Sequence, residues 1–200
     1  VLACLCLIAG RERKTVNNSI EQQLTEKLLE IPSNMSSVFN LVERVKKLSK
    51  QIVNAKSVLF LGRGHLFPIA MEGALKLKEI SYIHAEGYAS GEMKHGPIAL
   101  VDDKVPVIVL APKDSLFEKN ISNMQEILAR GGKVILITDT NGDKEIDDKN
   151  LKRLVLKNLD EFVQPIIFTL PVQLLSYYVA VSKGTDVDQP RNLAKSVTVE

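Results

Sequence analysis

The chain has 200 residues, and its 45% hydrophobic content is enough for one domain of ordinary size with a sizeable core. Its 26 basic and 24 acidic side chains nearly cancel, and the basic residues are scattered along the chain. Because nucleic-acid-binding proteins concentrate basic residues on one face, we expect no nucleic-acid partner. The two cysteines, Cys4 and Cys6, have a spacing that suits neither a disulfide framework nor a metal cluster, which indicates a reducing, cytoplasmic setting.

The first ten residues, VLACLCLIAG, form an apolar run without the features of a targeting segment. No basic region precedes the run and no cleavage-site pattern follows it. The run is also far shorter than the roughly 20 apolar residues that cross a bilayer, so we expect no membrane partner. We interpret it as the last helix of a preceding domain.

Residues 15–54 show helical periodicity and no strand pattern. Pro32 interrupts a first apolar stripe, and Ser33 is placed to cap a second helix. The first stripe consists of Ile20, Leu24, Leu28 and Ile31, and the second of Val38, Leu41, Val42, Val45 and Leu48. The prediction is a helical segment over residues 1–54, made of the end of a preceding domain and a connector.

From residue 57 onward, short apolar runs alternate with stretches of helical length. The runs have little polar alternation, which is typical of parallel strands covered on both faces; they are SVLFLG, VPVIVLA, KVILITD and RLVLK. Helices are expected at residues 66–80, 115–130 and 161–183, the last starting late or bent because it contains Pro165 and Pro171. This alternation predicts an α/β fold in which one doubly wound parallel sheet has helices on both faces.

Gly62, Arg63 and Gly64 lead from the first predicted strand into the first helix of this region. Such a loop can approach an anionic ligand at a helix amino end. It lacks the spacing of a dinucleotide fingerprint or a P-loop, so a tight strand-to-helix turn is the favoured interpretation.

The segment EGALKLKE places Glu72, Lys76 and Glu79 on one stripe of a helix, because they are separated by four and three positions. Such a row is commonly a surface ion-pair ladder, worth only a few tenths of a kcal/mol per pair. Two features favour a functional role. Gly73 and Ala74 keep the helix thin for close packing, and the segment that follows is poor in core-forming residues.

Residues 81–101, SYIHAEGYASGEMKHGPIALV, contain two of the three histidines. His84 is expected in a short strand as a hydrogen-bonded histidine. His95 precedes Gly96 and Pro97, a turn that can hold an imidazole at a surface or subunit boundary, although a plain turn histidine remains open. The acidic and histidine residues here do not form a recognised metal-ligand set, so no metal is expected.

Two stretches, ALKLKEISYIHAEGYASGEMKHGP and GTDVDQPRNLAKSVTVE, closely resemble the isomerase portion of the glutamine:fructose-6-phosphate amidotransferase family. The resemblance runs through nearly the whole chain. It implies the sugar isomerase (SIS) fold, a flavodoxin-like five-stranded parallel sheet that occurs twice in the family. Residues 1–54 would then be the end of the first copy plus a connector, and residues 55–200 the second copy with its carboxy-terminal tail.

The resemblance also implies a reaction, in which fructose 6-phosphate and glutamine-derived ammonia give glucosamine 6-phosphate in a homodimer without a cofactor. The family's glutaminase cysteine is matched by neither Cys4 nor Cys6, and its sugar-phosphate loops belong to the first SIS copy. We therefore expect little or no turnover from this chain alone. A non-catalytic SIS module that senses a phosphosugar or mediates dimerisation is the alternative.

The resemblance assigns roles to particular residues. His95 matches the histidine that opens the sugar ring from the neighbouring subunit, a task that suits an imidazole with an unperturbed pKa of about 6.5. Glu79 matches the base that moves the C1 proton, and Lys76 and Glu72 match its partners. Lys195, next to the small Ala194, matches the amine that captures the open sugar as a Schiff base. The tail would form a lid, with Asp186, Asp188 and Arg191 holding its backbone.

Overall fold

The computed structural model describes residues 1–192, and its first fifty residues are helical as the apolar spacing predicts. Four helices lie here: α1 (Leu2–Glu12), α2 (Asn18–Leu29), α3 (Ile31–Phe39) and α4 (Val42–Ser49). Ser33 was expected to cap a helix, but it lies inside α3, where its hydroxyl donates to the carbonyl oxygen of Glu30 at 2.9 Å. Pro32 occupies the first turn of α3, a position where the missing N–H costs no hydrogen bond. The one helix expected after residue 33 is two, because the chain turns at Asn40 and Leu41.

Five parallel strands form the sheet, which confirms the doubly wound α/β prediction. In chain order they are β1 (Ser57–Gly62), β2 (His84–Ala89), β3 (Pro106–Leu110), β4 (Lys133–Asp139) and β5 (Lys152–Leu156). The spatial order is β2-β1-β3-β4-β5, and every neighbouring pair is parallel. The strand predicted around His84 is therefore an edge strand.

Three helices connect strands, namely α5 (Phe67–Ser81), α6 (Phe117–Leu128) and α7 (Thr140–Lys144), and α8 (Gln164–Lys183) follows β5. Their bounds differ from the predicted ones by a few residues. The late start of α8 is confirmed, with Pro165 in its first turn and Pro171 inside it. Short 3₁₀ turns lie at Gly64–Leu66, Ser90–His95 and Pro97–Leu100.

The sheet is buried on both faces, which explains its continuous apolar strands. Along β1, Val58 and Phe60 point to a core layer shared with α4, α5 and α8, whereas Leu59 and Leu61 point to a layer shared with α6. A side chain added to Gly73 of α5 would press on the Phe60 ring at 2.7 Å, so the thin face expected for this helix is confirmed. The helix can lie this close to the sheet only because that position carries no side chain.

Helix α8 is the core helix of the first layer. Within residues 1–192 it is the one helix long and apolar enough to cross a membrane, and 44% of its most apolar window is buried inside the fold. Phe168, Val172 and Val179 are fully buried on the face that meets the sheet and α5. Core packing accounts for this apolar composition.

Candidate active site

Helix α5 carries three of the residues singled out from the sequence. Its buried face packs on the sheet and α8 through Ala70, Gly73, Ala74 and Leu77. The neighbouring stripe, the flank with Glu72, Lys76 and Glu79, is half-buried, because the small residues allow the helix to pack close to the sheet. Polar groups on that flank are shielded from part of the solvent but remain accessible to a ligand.

The structure brings Glu72, Lys76 and Glu79 together on this flank. The Lys76 Nζ donates to Glu79 Oε2 at 2.8 Å, and the Glu72 Oε1 accepts from the Gln173 Nε2 of α8 at 2.9 Å. The hydrogen bond that Lys76 donates to Glu79 raises the pKa of Lys76; burial opposes this shift, and the charges of Glu79 and Glu72 add to it. Lys76 is therefore held as a cation, and it fixes one oxygen of the Glu79 carboxylate.

A cavity of about 410 Å³ opens beside Glu79 at the carboxyl end of α5. It is lined by Leu75, Lys78, Glu79, Tyr82, Arg191 and Asn192. The last two residues lie at the beginning of the carboxy-terminal strip, defined here as residues 185–200. The described end of the strip and the carboxylate of Glu79 therefore border the same space.

Several contacts tie the strip to α5. The Thr185 hydroxyl donates to the carbonyl oxygen of Ile80 at 2.6 Å, and the Asp186 Oδ1 accepts the backbone N–H groups of the next turn. The Arg191 backbone N–H donates to the Tyr82 hydroxyl at 2.9 Å. The predicted holding roles of Asp186 and Arg191 are confirmed by these contacts, whereas the side chain of Asp188 forms no hydrogen bond or ion pair within residues 1–192. Lys195 and Ala194 lie outside the described residues.

His95 lies at the other end of β2 from Glu79. Helix α5 runs back from the carboxyl end of β1, so Glu79 in its last turn lies near the start of β2, whereas His95 follows the end of that strand. The strand between them, β2, has six residues and is about 17 Å long at roughly 3.3 Å per residue. The order of the elements therefore places the two residues toward opposite ends of β2.

The turn that carries His95 is firmly attached to the domain, although His95 itself is exposed. Met93 is fully buried in the second core layer, and the Lys94 Nζ forms an ion pair with the Glu126 carboxylate of α6 at 2.8 Å. Gly96 follows with a φ of 142°, a value that only glycine adopts readily. This turn presents an exposed imidazole from a fixed base, as a residue that acts on a neighbouring molecule requires.

His84 differs in part from its prediction. It begins β2, as expected, but it is exposed and its Nε2 lies 3.6 Å from the Glu86 Oε1, beyond hydrogen-bond distance. Glu86 instead accepts a hydrogen bond from the Tyr88 hydroxyl at 2.6 Å, which raises the pKa of Tyr88. The Tyr88 hydroxyl donates to the Oε2 of Glu86, and His84 faces the Oε1 without a hydrogen bond.

The loop formed by Gly62, Arg63 and Gly64 is a tight strand-to-helix turn, the interpretation favoured from the sequence. A side chain at Gly62 would collide with the carbonyl group of Leu66, and the Arg63 guanidinium donates to Asn123 of α6 at 3.3 Å. The turn therefore packs against its own domain. Within residues 1–192, no three histidine, cysteine or acidic side chains are grouped closely enough to hold a metal ion.

A second cavity, of about 370 Å³, lies at the amino ends of β4 and β5. Its walls combine apolar residues with the exposed Lys133 and Lys152, and it contains none of the residues singled out from the sequence. The cavity beside Glu79 is therefore the better candidate site. Sequence reasoning missed Tyr82 as a lining residue of this cavity and Gln173 as the partner of Glu72, because an aromatic residue after a helix and a glutamine within one carry no distinctive pattern.

Comparisons with known proteins agree with this geometry. The family model described as SIS domain matches residues 51–183. Over the whole chain, glutamine–fructose-6-phosphate aminotransferases (isomerizing) from Agrobacterium fabrum and Rhizobium meliloti are 56% and 57% identical. The chain spans 33% of the length of these two curated relatives.

A solved structure shows the same relationship. The carboxy-terminal domain of glucosamine-fructose-6-phosphate aminotransferase from Francisella tularensis superposes with a TM-score of 0.91 at 44% identity, over 94% of this chain and 53% of that one. These similarities confirm the resemblance that the motifs indicate. The parallel sheet, its strand order and the matched residues 51–183 show that the chain belongs to the SIS domain family.

Proposed function

We propose that the chain is the isomerase part of an enzyme that converts fructose 6-phosphate and glutamine-derived ammonia into glucosamine 6-phosphate. The names of its curated relatives describe an isomerizing aminotransferase with these two substrates. The observation that carries the proposal is the shared cavity: Glu79, held by Lys76, borders the same space as Asn192 at the beginning of the strip that leads to Lys195.

The length of the strip allows Lys195 to reach this cavity. It lies three positions after Asn192, and an extended chain covers roughly 10 Å over that distance, to which the lysine side chain adds its own length. Contacts of Thr185 and Arg191 with the end of α5 hold the start of the strip beside Glu79. The amine and the carboxylate can therefore serve one substrate.

The chemistry needs these groups in sequence. The Lys195 amine adds to the C2 carbonyl of the open-chain ketose, and water leaves to give an imine. Ammonia then adds at C2 and the lysine departs as the free amine, which leaves nitrogen on the sugar. The Glu79 carboxylate removes a proton from C1, and return of a proton to C2 yields the amino-aldose.

His95 enters this scheme as the ring-opening residue from a second subunit. The position of His95 beyond the far end of β2 from Glu79 supports this, as does its exposure on a fixed turn. A homodimer in which each His95 faces the partner's cavity places all the groups at one sugar. An imidazole is suited to the step because it both accepts and donates protons near neutral pH.

The domain boundaries belong to the same proposal. Residues 1–54 form the end of a preceding SIS copy and a connector, and residues 55–200 form the second copy with its tail. Helices α3 and α4 pack against α8, so the connector is joined to the second copy through a shared core. The sugar-phosphate loops lie in the preceding copy, and the enzyme acts in the cytoplasm.

Trapping with borohydride tests the proposal. Reduction of the full-length protein in the presence of fructose 6-phosphate should attach one hexitol phosphate to Lys195, which peptide mass spectrometry locates. Lys195→Arg retains the charge but cannot form the imine under these conditions, so it should show no adduct. Label spread over many surface lysines, with none preferred at Lys195, would contradict the proposal.

A non-catalytic phosphosugar-sensing or dimerisation module is the alternative. The Lys76–Glu79 ion pair is compatible with it. Such pairs form on helix surfaces without any catalytic role and stabilise the helix by only a few tenths of a kcal/mol. Saturable binding of fructose 6-phosphate without an adduct at Lys195 would support this module.

A further inference from the structure

We infer that Tyr82 is a positioning residue that clamps the beginning of the carboxy-terminal strip, as far as Asn192, to the end of α5 beside Glu79. The inference rests on the proposed function for the role of Lys195. The clamp itself stands on contacts among described residues, and it can be tested without turnover.

The backbone of Tyr82 is the first observation. It caps α5 in the left-handed conformation, with φ of 60° and ψ of 19°, and its N–H donates to the carbonyl oxygen of Lys78. Glycine or asparagine normally occupies this position, because a bulky side chain is strained there. The conformation turns the tyrosine out of the helix at the point where Glu79 borders the cavity. A helix end that needed only a cap would be more stable with glycine.

Contacts between Tyr82 and Arg191 are the second observation. The Tyr82 hydroxyl accepts the Arg191 backbone N–H at 2.9 Å, and the Arg191 guanidinium carbon lies 4.2 Å from the centre of the tyrosine ring. One side chain therefore holds both the backbone and the side chain of Arg191. Hydrogen bonding and cation–π attraction act together at this contact.

A second hydrogen bond attaches the strip to α5 at another point. The Thr185 hydroxyl donates to the carbonyl oxygen of Ile80, so the stretch from Thr185 to Arg191 is attached to α5 at both of its ends. Between them, Asp186 accepts the N–H groups of Asp188 and Gln189 and closes a turn. The two residues that hold the strip, Ile80 and Tyr82, lie within three positions of Glu79 in the sequence. The exit direction of the strip is thus fixed relative to the carboxylate.

Loss of the clamp should release the beginning of the strip from α5, while Glu79 and the sheet remain intact. Tyr82→Asn removes the ring but suits the left-handed backbone, so the variant should fold. Tyr82→Phe retains the ring and removes only the hydroxyl. Tyr177→Phe, on the exposed face of α8, is the matched control.

Amide hydrogen exchange on the full 200-residue chain tests the clamp directly. In Tyr82→Asn, exchange at residues 186–192 should be faster by about tenfold, with a smaller increase in Tyr82→Phe. Amides of β3 and β4 should be unchanged in both variants, and Tyr177→Phe should match the wild type throughout. Equal exchange of residues 186–192 in wild type and Tyr82→Asn would overturn the inference.

A pH profile of Lys195 reactivity separates positioning from general destabilisation. Competitive acetylation, read by mass spectrometry, reports the titration of that amine. In Tyr82→Asn the acetylation profile of Lys195 should differ from that of the wild type, whereas the acetylation of the exposed Lys183 should be the same in both proteins. Identical Lys195 profiles in wild type and Tyr82→Asn would also overturn the inference.

Outcomes for the clamp and for the proposed function are distinguishable. If borohydride fails to trap sugar on Lys195 while Tyr82→Asn releases the strip, the proposed function is wrong and the clamp stands. If the wild type is trapped and Tyr82→Asn leaves exchange, reactivity and trapping unchanged, the clamp is wrong and the proposed function stands.

Discussion

Lys76 and Glu79 form a pair whose local geometry is common in this chain. Lys27, in the last turn of α2, and Glu30, which follows that helix, have the same spacing. Their Nζ–Oε1 distance is 3.0 Å, and the Nζ–Oε2 distance of the α5 pair is 2.8 Å. The pKa of each lysine is raised, in both cases chiefly by the hydrogen bond that the lysine donates to the glutamate. What distinguishes the α5 pair is its surroundings: a cavity on one side and Gln173 and Glu72 on the other.

Replacing Lys76 tests whether those surroundings matter. Lys76→Met should lower kcat of the full-length enzyme by about 10²-fold, the lower end of what a general base contributes, because the Glu79 carboxylate loses the cation that orients it. Lys27→Met removes the matched pair and should leave kcat unchanged. Steady-state kinetics of both variants provide the measurement, and equal kcat values for the two would mean that the α5 pair is only a surface ladder.

The same pair predicts a pH dependence of stability. The pKa of Lys76 is raised above its ordinary value of 10.5, so its pairing stabilises the folded state fully below that pH. The contribution is lost as the pH rises through the higher, folded value. Urea unfolding should therefore show wild type and Lys76→Met differing below pH 10 and converging in stronger base, whereas a constant difference would contradict the pairing.

Asp114, in the loop after β3, is a group whose charged form is disfavoured in the folded state, in contrast to Lys76. Burial raises its pKa above 3.8, against the hydrogen bond from the Leu116 N–H and the charge of His65. Because the folded state favours the protonated carboxyl, ionised Asp114 destabilises the fold at neutral pH, and this cost disappears below pH 3.8. Asparagine retains the acceptor for Leu116 without the charge.

Asp114→Asn should therefore raise the melting temperature at pH 7 by about 1–3 °C. The gain should shrink as the pH falls and vanish in acid below the ordinary pKa of the carboxyl. Asp102→Asn is the matched control, because the Asp102 carboxylate also accepts turn N–H groups but is exposed. A gain at pH 7 that persists unchanged at pH 3 would show that charge is not its cause.

At the scale of secondary-structure elements, the features that depend on the burial of apolar residues were mostly predicted from the sequence. Continuous apolar runs identified the strands, and the period of α5 identified the stripe with Glu79. The helix break predicted at Pro32 lies near residue 30, because proline is compatible with a first helical turn. The break near residue 40 was not predicted, because the turn after Phe39 has no proline or glycine signal. The Tyr82–Arg191 contact joins residues 109 positions apart, and only the fold reveals it.

Helix α5 depends on glycine for its position, and a pair of substitutions isolates this effect. Alanine at Gly73 would meet the buried Phe60 ring at 2.7 Å and Val172 at 3.1 Å, whereas alanine at Gly10 of α1 would meet only a methyl group of Val16 at 2.7 Å. Both replacements improve helix propensity by up to about 1 kcal/mol. Overpacking against an immobile ring typically costs about 1–3 kcal/mol, so Gly73→Ala should be destabilising.

Gly10→Ala should be neutral or stabilising, because the Val16 side chain can move aside. Thermal unfolding of the two variants measures the difference directly. If Gly73→Ala were as stable as Gly10→Ala, α5 would have room to move outward, and the placement of Glu79 on its flank would not depend on this close packing.

At the scale of the whole molecule, the proposal requires two subunits for one active site. Glu79 and His95 lie toward opposite ends of β2, and His95 is exposed on a turn fixed by Met93 and the Lys94–Glu126 ion pair. The proposal therefore assigns the two side chains at one sugar to different subunits. A symmetric dimer solves the problem, because each subunit offers its imidazole to the other's cavity.

Mixing inactive subunits tests this arrangement. His95→Asn and Glu79→Gln should each abolish most activity as homodimers of the full-length protein. When the two are unfolded and reassembled together in equal amounts, half of the dimers are mixed, and each mixed dimer contains one site with both lesions and one intact site. Activity should therefore return to about one quarter of the wild-type value, as random pairing in a two-fold dimer requires. If His95 acted within its own subunit, every site in the mixture would retain one lesion and activity would stay at the level of the separate variants.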